Sequence, residues 1–199
     1  MSSRLIVEGA KKQMRIAVYC GSASGNKPEY LEAAVQLGRY FAAQGIDLVY
    51  GGGKVGLMGA IADAVLAAGG NVYGFIPKAL EEKEIAHKGL TKLTVVPDMH
   101  TRKAAMADMA DAFVALPGGV GTFEEIFEAW TWAQLGYHNK PCAFYNVEGF
   151  YDPLFAMVDS VADSGFMKQD YIKMLIKTNQ PEELLAQIQC YQAPKKKWT

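Results

Sequence analysis

The residues best suited to chemistry lie in one glycine-rich stretch, residues 117–125, with the sequence PGGVGTFEE. Gly118, Gly119 and Gly121 allow backbone N–H groups to approach an anion closely, and Thr122 adds a hydroxyl where a helix is predicted to start. The unpaired N–H groups and the dipole of a helix N-terminus favour a phosphate at such a point. The stretch lacks the lysine of a P-loop, so it does not predict a nucleoside triphosphatase.

Two carboxylates, Glu124 and Glu125, follow these glycines within the first predicted helical turn. Acidic residues there complement the helix dipole, which accounts for one or both of them structurally. A carboxylate beside a bound sugar phosphate can also stabilise developing positive charge or deprotonate water. The residue types alone do not choose between the two. Arg102 and Lys103 follow another predicted strand, where an arginine can clamp a phosphate or pair with a carboxylate.

A second glycine-rich turn, residues 51–59, places Gly51, Gly53 and Gly56 at the spacing of a dinucleotide-binding fingerprint. It follows the second predicted strand rather than the first. The end of the next strand, residues 74–77, offers no acid for a ribose hydroxyl. An NAD(P)-dependent oxidoreductase is therefore the less favoured hypothesis. The same glycines can form a tight turn or shape a phosphate or sugar pocket.

The elements that must position these residues alternate along the chain. Near-continuous apolar runs predict parallel strands at 15–20, 46–50, 72–76, 93–96, 112–116 and 141–145. Helical patterns lie between them and continue to the end of the domain, including 168–176 and 181–190. The pattern predicts an α/β fold: a single-domain, Rossmann-like, doubly wound parallel sheet in three α/β/α layers. Ligands of such sheets bind beyond the carboxyl ends of the strands.

We expect the domain to span residues 14–190, with a flexible extension at 1–13 and a tail at 191–199. The irregular segment 78–91 is long enough to be a functional loop. The net charge of −1 does not suggest nucleic acid or a membrane surface as a partner. The three cysteines are far apart, which predicts a reducing, cytoplasmic location without disulfides or zinc. No metal or cofactor is expected.

Several motifs in order resemble the Lonely Guy (LOG) family over roughly residues 14–188: the 117–125 stretch, the MHTRK sequence at 99–103, and TWAQLG at 131–136. The resemblance implies hydrolysis of the N-glycosidic bond of adenine-type nucleoside 5′-monophosphates, giving free base and ribose 5-phosphate. It implies that Arg102 and Glu125 are catalytic. It places these residues around the nucleotide: Glu84, Lys103, Gly118, Gly119, Val120, Gly121, Thr122, Phe123, Glu124 and Thr131. It also implies a homodimer with the site near the interface.

Two points remain open at the level of the sequence. A non-hydrolytic protein that binds a nucleotide or a molybdopterin-type ligand could use the same glycine turn. The residues also do not decide between plain AMP and N6-modified cytokinin nucleotides as the substrate. An older name for the LOG family, lysine decarboxylase, would require pyridoxal phosphate, and no motif in the sequence supports that cofactor.

Overall fold

The computed structural model describes residues 13–81, 83 and 86–194, in which seven parallel strands form one sheet. The strands are β1 Arg15–Tyr19, β2 Asp47–Tyr50, β3 Val72–Pro77, β4 Lys92–Val96, β5 Ala112–Ala115, β6 Cys142–Tyr145 and β7 Leu175–Thr178. The helices are α1 Pro28–Ala43, α2 Gly56–Ala67, α3 Lys78–Glu81, α4 Met99–Met109, α5 Val120–Leu135, α6 Asp152–Asp163, α7 Gln169–Lys173 and α8 Pro181–Cys190.

The strand order β4-β3-β2-β1-β5-β6-β7 confirms the predicted Rossmann-like α/β class. The chain winds outward from β1 to β4 and then returns to place β5 beside β1, so the topological switch point lies between β1 and β5. Every residue of the central strands β2 and β5 is buried, because helices cover both faces of the sheet. Two apolar clusters, one on each face, form the core.

The prediction of a helix at residues 168–176 is wrong in its second half. The helix α7 ends at Lys173, and Leu175–Thr178 forms the edge strand β7. Ile176 pairs with Ala143 of β6, so the strand conformation is set by tertiary pairing that the local sequence does not reveal. The segment 78–91 is also less irregular than predicted, because it begins with α3 and later contacts the turn after β2 through a bridge between Gly53 and Ala86.

The predicted terminal segments fall mostly outside the described residues. Residues 1–12 and 195–199 are not described, so the flexible extension and the tail stay predictions. Within the described part of the chain, no helix is both long and apolar enough to cross a membrane.

Candidate active site

The turns that follow the first five strands converge on one cavity of about 450 Å³. Its lining includes Cys20 after β1, Gly51 after β2, Ile76 in β3, Arg102 in α4 and Glu125 in α5. A volume in this range suits a small organic ligand. The expectation that the carboxyl ends of the strands form the site agrees with this arrangement, and the cavity lies beside the switch point.

The glycine-rich stretch forms the turn after β5 and the start of α5, which begins at Val120 and not at Thr122 as predicted, so Glu124 and Glu125 lie beyond the first helical turn. The first intrahelical bond of α5 runs from the Phe123 N–H to Gly119 O at 3.2 Å, so the N–H groups of Gly121 and Thr122 precede the helical ladder. Gly118 lies against the β1 turn, where a Cβ atom would approach Gly21 N to 2.8 Å. Gly21 N–H in turn donates to Pro117 O at 3.0 Å. The turn is thereby fixed, with its helix N-terminus directed into the cavity.

Gly119 and Gly121 are not explained by the packing of the protein. A Cβ atom at either position would meet no atom of the described residues within 4 Å. Neither residue has a positive φ, and Gly119 adopts an extended conformation with φ −94°. A glycine inside a helix costs about 1 kcal/mol relative to alanine. The space beside these two glycines is therefore available to a ligand that must approach the backbone closely.

Gly121→Ala is expected to stabilise the fold by about 0.5–1 kcal/mol, because alanine has the higher helix propensity. The same methyl group would occupy the space beside the N–H groups of the turn and weaken the binding of a phosphate ester at least tenfold. Urea unfolding and a titration with ribose 5-phosphate measure the two effects. A variant that is more stable and binds ribose 5-phosphate with unchanged affinity would contradict a ligand role for this glycine.

A buried ion pair joins α4 to α5 at the base of the cavity. Asp98 caps α4 by accepting a hydrogen bond from Thr101 N–H at 2.7 Å, which fixes the first turn that carries Arg102. Arg102 Nη2 lies 3.1 Å from Glu125 Oε1, and each residue is only 8% exposed. The guanidinium rests on Gly51, where a Cβ atom would overlap Nη2 and approach Cζ to 2.8 Å. Gly51 is thus in direct contact with the guanidinium of Arg102, and a larger residue would not fit there.

Burial raises the pKa of Glu125 above its ordinary value, and the attraction of Arg102 offsets this only in part. The neighbouring Glu124 raises it further, and Lys103 lowers it. Glu125 Oε1 and Arg102 Nε have no hydrogen-bond partner among the described residues. The 3.1 Å contact is therefore an ion pair without an aligned hydrogen bond, and both groups keep capacity for a substrate or a water molecule.

Glu124 and Glu128 hold the second cation, Lys103. Lys103 Nζ forms ion pairs with Glu124 and with Glu128 Oε2, the latter at 3.0 Å. Desolvation lowers the pKa of Lys103, but the hydrogen bonds that Lys103 donates to the two carboxylates, with their negative charge, outweigh it and the net shift is upward. Lys103 is thus a fully charged link between α4 and α5, and the helix pair is tied together by three ion pairs.

In the second glycine-rich turn, the backbone N–H groups that could bind a phosphate are already hydrogen-bonded within the protein. The N–H groups of Leu57 and Met58, at the start of α2, both donate to Gly21 O, at 3.0 and 3.3 Å. Gly56 has φ +57°, and a Cβ atom there would collide with the backbone of Ser22 and Ala23. The N-terminus of α2 therefore faces the β1 turn rather than a pyrophosphate. This geometry disfavours the dinucleotide hypothesis, although Gly51 and Gly53 do line the cavity.

Comparison with known proteins identifies the family. A family model described as "Possible lysine decarboxylase" matches residues 58–188. The cytokinin riboside 5′-monophosphate phosphoribohydrolase LOG of Oryza sativa subsp. japonica is 48% identical over 177 residues, covering 89% of this chain and 73% of the rice protein. The enzyme LOG7 of Arabidopsis thaliana, of the same name, is 48% identical over 178 residues, covering 89% and 82% of the two chains. The chain belongs to the LOG family.

Solved structures show where else the LOG fold occurs. The molybdenum cofactor carrier protein of Chlamydomonas reinhardtii superposes with a TM-score of 0.68 at 20% identity, covering 90% of this chain and 98% of that one. A molybdenum cofactor binding protein of Rippkaea orientalis gives 0.68 at 21% identity, covering 90% and 97%. At these identities the likeness shows the fold alone.

Not all residues that the LOG resemblance implies lie in this cavity. Gly119, Val120, Gly121, Thr122 and Glu124 line it together with Arg102 and Glu125. Glu84 is outside the described residues. The remaining implied residues lie outside this cavity.

Gly118 lies behind the turn, and Phe123 packs away from the cavity, with its ring stacked 6.4 Å from that of Phe150. Lys103 lies beside the cavity in the ion-pair network. Thr131 lines a second cavity further along α5. Trp130 in the same region is a core residue, 1% exposed, whose Nε1–H donates to Tyr171 O at 3.0 Å.

Several lining residues were not predicted to be site residues, although some of them lie in the motifs of the LOG resemblance. Met58, Ile76, Leu80 and Met99 form the apolar wall of the cavity, in which Met99 Sδ lies 3.5 Å from Arg102 Nη1 and Ile76 belongs to β3. Apolar residues at strand ends carry no sequence signal that separates a ligand wall from the core. Gly51 was noted for its spacing, but its contact with Arg102 depends on two turns that meet only in the folded chain.

Proposed function

We propose that this LOG-family chain hydrolyses the N-glycosidic bond of adenine-type nucleoside 5′-monophosphates, releasing free base and ribose 5-phosphate. One observation carries the proposal: the buried Arg102–Glu125 pair and the free N-terminus of α5 line the same cavity. The names of the rice and Arabidopsis relatives, both phosphoribohydrolases, support the same reaction.

The strand order gives an estimate of the length of the cavity. From the turn after β5, the cavity passes β1 and β2 to reach Ile76 in β3. Three inter-strand steps of about 4.8 Å span about 14 Å, which suits an extended nucleoside monophosphate. With the phosphate at the N-terminus of α5, the ribose lies beside Arg102 and Glu125. The base then reaches the apolar wall of Met58, Ile76, Leu80 and Met99.

The charge of Glu125 fits the proposed chemistry. Breaking the bond between the ribose C1′ and the base builds positive charge on the sugar. An ionised Glu125 stabilises that charge and can deprotonate the attacking water. Because burial raises the pKa of Glu125, Arg102 is needed to hold the carboxylate ionised. The 3.1 Å contact supports this role for Arg102 in place of a phosphate clamp.

The phosphate has its own binding element, which lets it anchor the substrate. The N–H groups at the start of α5 neutralise it, while Arg102 and Lys103 are already paired with carboxylates. Binding energy from this non-reacting group positions the ribose for attack. The apolar wall accepts the face of an adenine, with or without an N6 substituent, so we include both AMP and N6-modified cytokinin nucleotides in the proposed substrate class.

Chromatography of reactions with AMP, N6-isopentenyl-AMP and the matching nucleosides tests the proposal. We expect free base from the monophosphates with kcat/KM at least about 100-fold above that for the nucleosides, since the anchor is the phosphate. Tight binding of AMP without release of base over long incubation would contradict hydrolysis and favour the non-hydrolytic alternative.

We further propose a homodimer in which the site lies near the interface. Thr131 lies on α5 but outside the cavity of its own chain, so it would approach a nucleotide only in the site of a second copy. Light scattering that gives the mass of one chain would contradict this. A cytoplasmic location is proposed because the three cysteines are free thiols, of which Cys190 is exposed; a fluorescent fusion of the full chain found outside the cytoplasm would contradict it.

A further inference from the structure

A buried histidine outside the cavity closes a set of contacts that leads to Arg102. His87 is 5% exposed and follows the Gly53–Ala86 bridge. Its Nδ1 accepts a hydrogen bond from Gly89 N–H at 3.1 Å, so its proton lies on Nε2. Nε2–H then donates to Asp63 Oδ1 on α2 at 2.9 Å. Both ring nitrogens therefore have partners, and the orientation of the ring is fixed.

The backbone of the same residue holds the glycine turn after β2. His87 N–H donates to Gly52 O at 2.8 Å, and Ala86 pairs with Gly53. The turn continues into α2, which carries Asp63 on its third turn. The segment at 86–89 is therefore bonded both to the glycine turn, through His87 N–H and Ala86, and to α2, through the His87–Asp63 hydrogen bond. Because the glycine turn leads directly into α2, these three parts form a closed triangle of contacts.

The triangle ends directly beneath the catalytic arginine. Gly51 precedes Gly52 and supports the guanidinium of Arg102 so closely that a Cβ atom would overlap it. Gly52 itself has φ +77° and is packed against Leu93 and Ile76, so the turn has a defined conformation. A change in this turn of a few tenths of an ångström would be transmitted to Arg102, because no space separates the two.

We propose that His87, held by Asp63, is a positioning residue. It fixes the position of Gly51 against the guanidinium of Arg102 and thereby the distance between Arg102 and Glu125. The inference rests on the proposed function for its effect on turnover. We call the contacts that run from Asp63 through His87 to the Gly51–Gly53 turn the brace. The phosphate-binding turn belongs to β5 and α5, on the other side of the cavity, so the brace acts on Arg102 and Glu125 and not on the phosphate-binding turn.

Asp63→Ala is the first test, because Asp63 is largely exposed on a helix and alanine has the higher helix propensity. We expect kcat to fall about tenfold, with KM for the monophosphate within twofold. The melting temperature should change little, because the gain in helix propensity offsets the cost of leaving His87 Nε2–H without its partner. Asp63→Asn keeps an acceptor for Nε2–H and is expected to retain kcat within twofold of the wild type. Unchanged kcat in Asp63→Ala, or a rise in KM alone, would overturn the proposal.

Replacements of His87 separate the contributions of its two side-chain hydrogen bonds, to Asp63 and to Gly89. Gln can place a donor near the position of Nε2, and Asn can place an acceptor near that of Nδ1. We expect His87→Gln to retain more of kcat than His87→Asn, because the bond to Asp63 closes the triangle. The reverse order would overturn the assignment of Asp63 as the partner that matters.

A readout without turnover distinguishes failure of the brace from failure of the proposed reaction. Phenylglyoxal labelling of Arg102, measured by peptide mass spectrometry, uses the exposed Arg39 as an internal reference. Asp63→Ala is expected to raise labelling of Arg102 relative to Arg39 several-fold, and unchanged labelling would overturn the brace. Absence of base release from the wild type would overturn the proposed reaction, while the labelling would still decide on the brace.

Discussion

Glu125→Gln is expected to lower the rate of base release by about 10²–10⁴-fold with the fold intact, because the amide can neither carry the negative charge nor accept a proton from water. Glu125 is buried against Arg102 in the cavity, whereas the side chain of Glu124, which also lines the cavity, is half exposed and paired with Lys103. Chromatography of the released base measures the effect. The exposed Glu32→Gln on α1 is the matched control and is expected to retain full activity. Near-normal turnover of Glu125→Gln would contradict the mechanism.

The raised pKa of Glu125 also predicts how its charge affects the stability of the protein. An acid whose folded-state pKa is raised binds its proton more tightly in the native state, so its contribution to stability is lost as pH rises from the ordinary glutamate pKa through the raised one. At neutral pH the ionised Glu125 is therefore destabilising. Glu125→Gln removes this cost but also leaves the buried Arg102 without its carboxylate partner, so we expect the melting temperature of the variant to fall by less than that of Arg102→Ala. The acidic limb of the wild-type rate profile should lie above the ordinary glutamate pKa.

Arg102→Ala is expected to abolish activity and to destabilise the protein by about 3–5 kcal/mol, because it leaves Glu125 buried without its partner. Arg102 is the main influence that lowers the pKa of Glu125, so its loss raises that pKa further. Any residual activity should then shift its acidic limb to higher pH. Urea unfolding and a pH–rate profile measure the two effects.

An apolar replacement of the pair separates stability from catalysis. The double variant Arg102→Met with Glu125→Leu removes both charges and keeps similar volume, so it should recover most of the stability lost in Arg102→Ala. It should remain inactive, since the reacting charges are gone. A double variant as unstable as Arg102→Ala would contradict the view that the unpaired carboxylate is what destabilises the single variant.

The sheet could be predicted because its central strands are buried on both faces and therefore appear as unbroken apolar runs. The strand β7 could not, since a four-residue edge strand directly after a short helix has no period of its own, and pairing with β6 selects its conformation. Boundaries of the central elements followed from glycines that end helices, such as Gly45 and Gly136, both with positive φ.

The candidate site was predictable in its anion-binding half. The spacing of Gly118, Gly119 and Gly121 before a helix predicts an anion site, but it does not tell which glycines serve the fold. Gly118 is required by a close approach to Gly21, whereas Gly119 and Gly121 border open space. Such a distinction depends on distances between turns that are far apart in the sequence.

The residue types alone could not separate the two carboxylates; the LOG resemblance selected Glu125, and the folded chain adds a physical reason. Both follow the same glycines, and a helix starting at Thr122 would place both in its first turn beside the positive end of the dipole. That prediction is wrong, because α5 starts at Val120 and has no acidic residue in its first turn. In the structure Glu125 is buried against Arg102, while the side chain of Glu124 is half exposed and paired with Lys103. Burial beside a single arginine is the arrangement that perturbs a pKa, which supports Glu125 as the catalytic candidate.

Quantification of both products from AMP tests the central claim most directly. The account predicts that the wild-type protein converts AMP into adenine and ribose 5-phosphate in equal amounts, that adenosine is turned over at least about 100-fold less efficiently, and that Glu125→Gln forms neither product at a comparable rate. Equal efficiency on adenosine and AMP, or AMP bound and recovered intact, would contradict it.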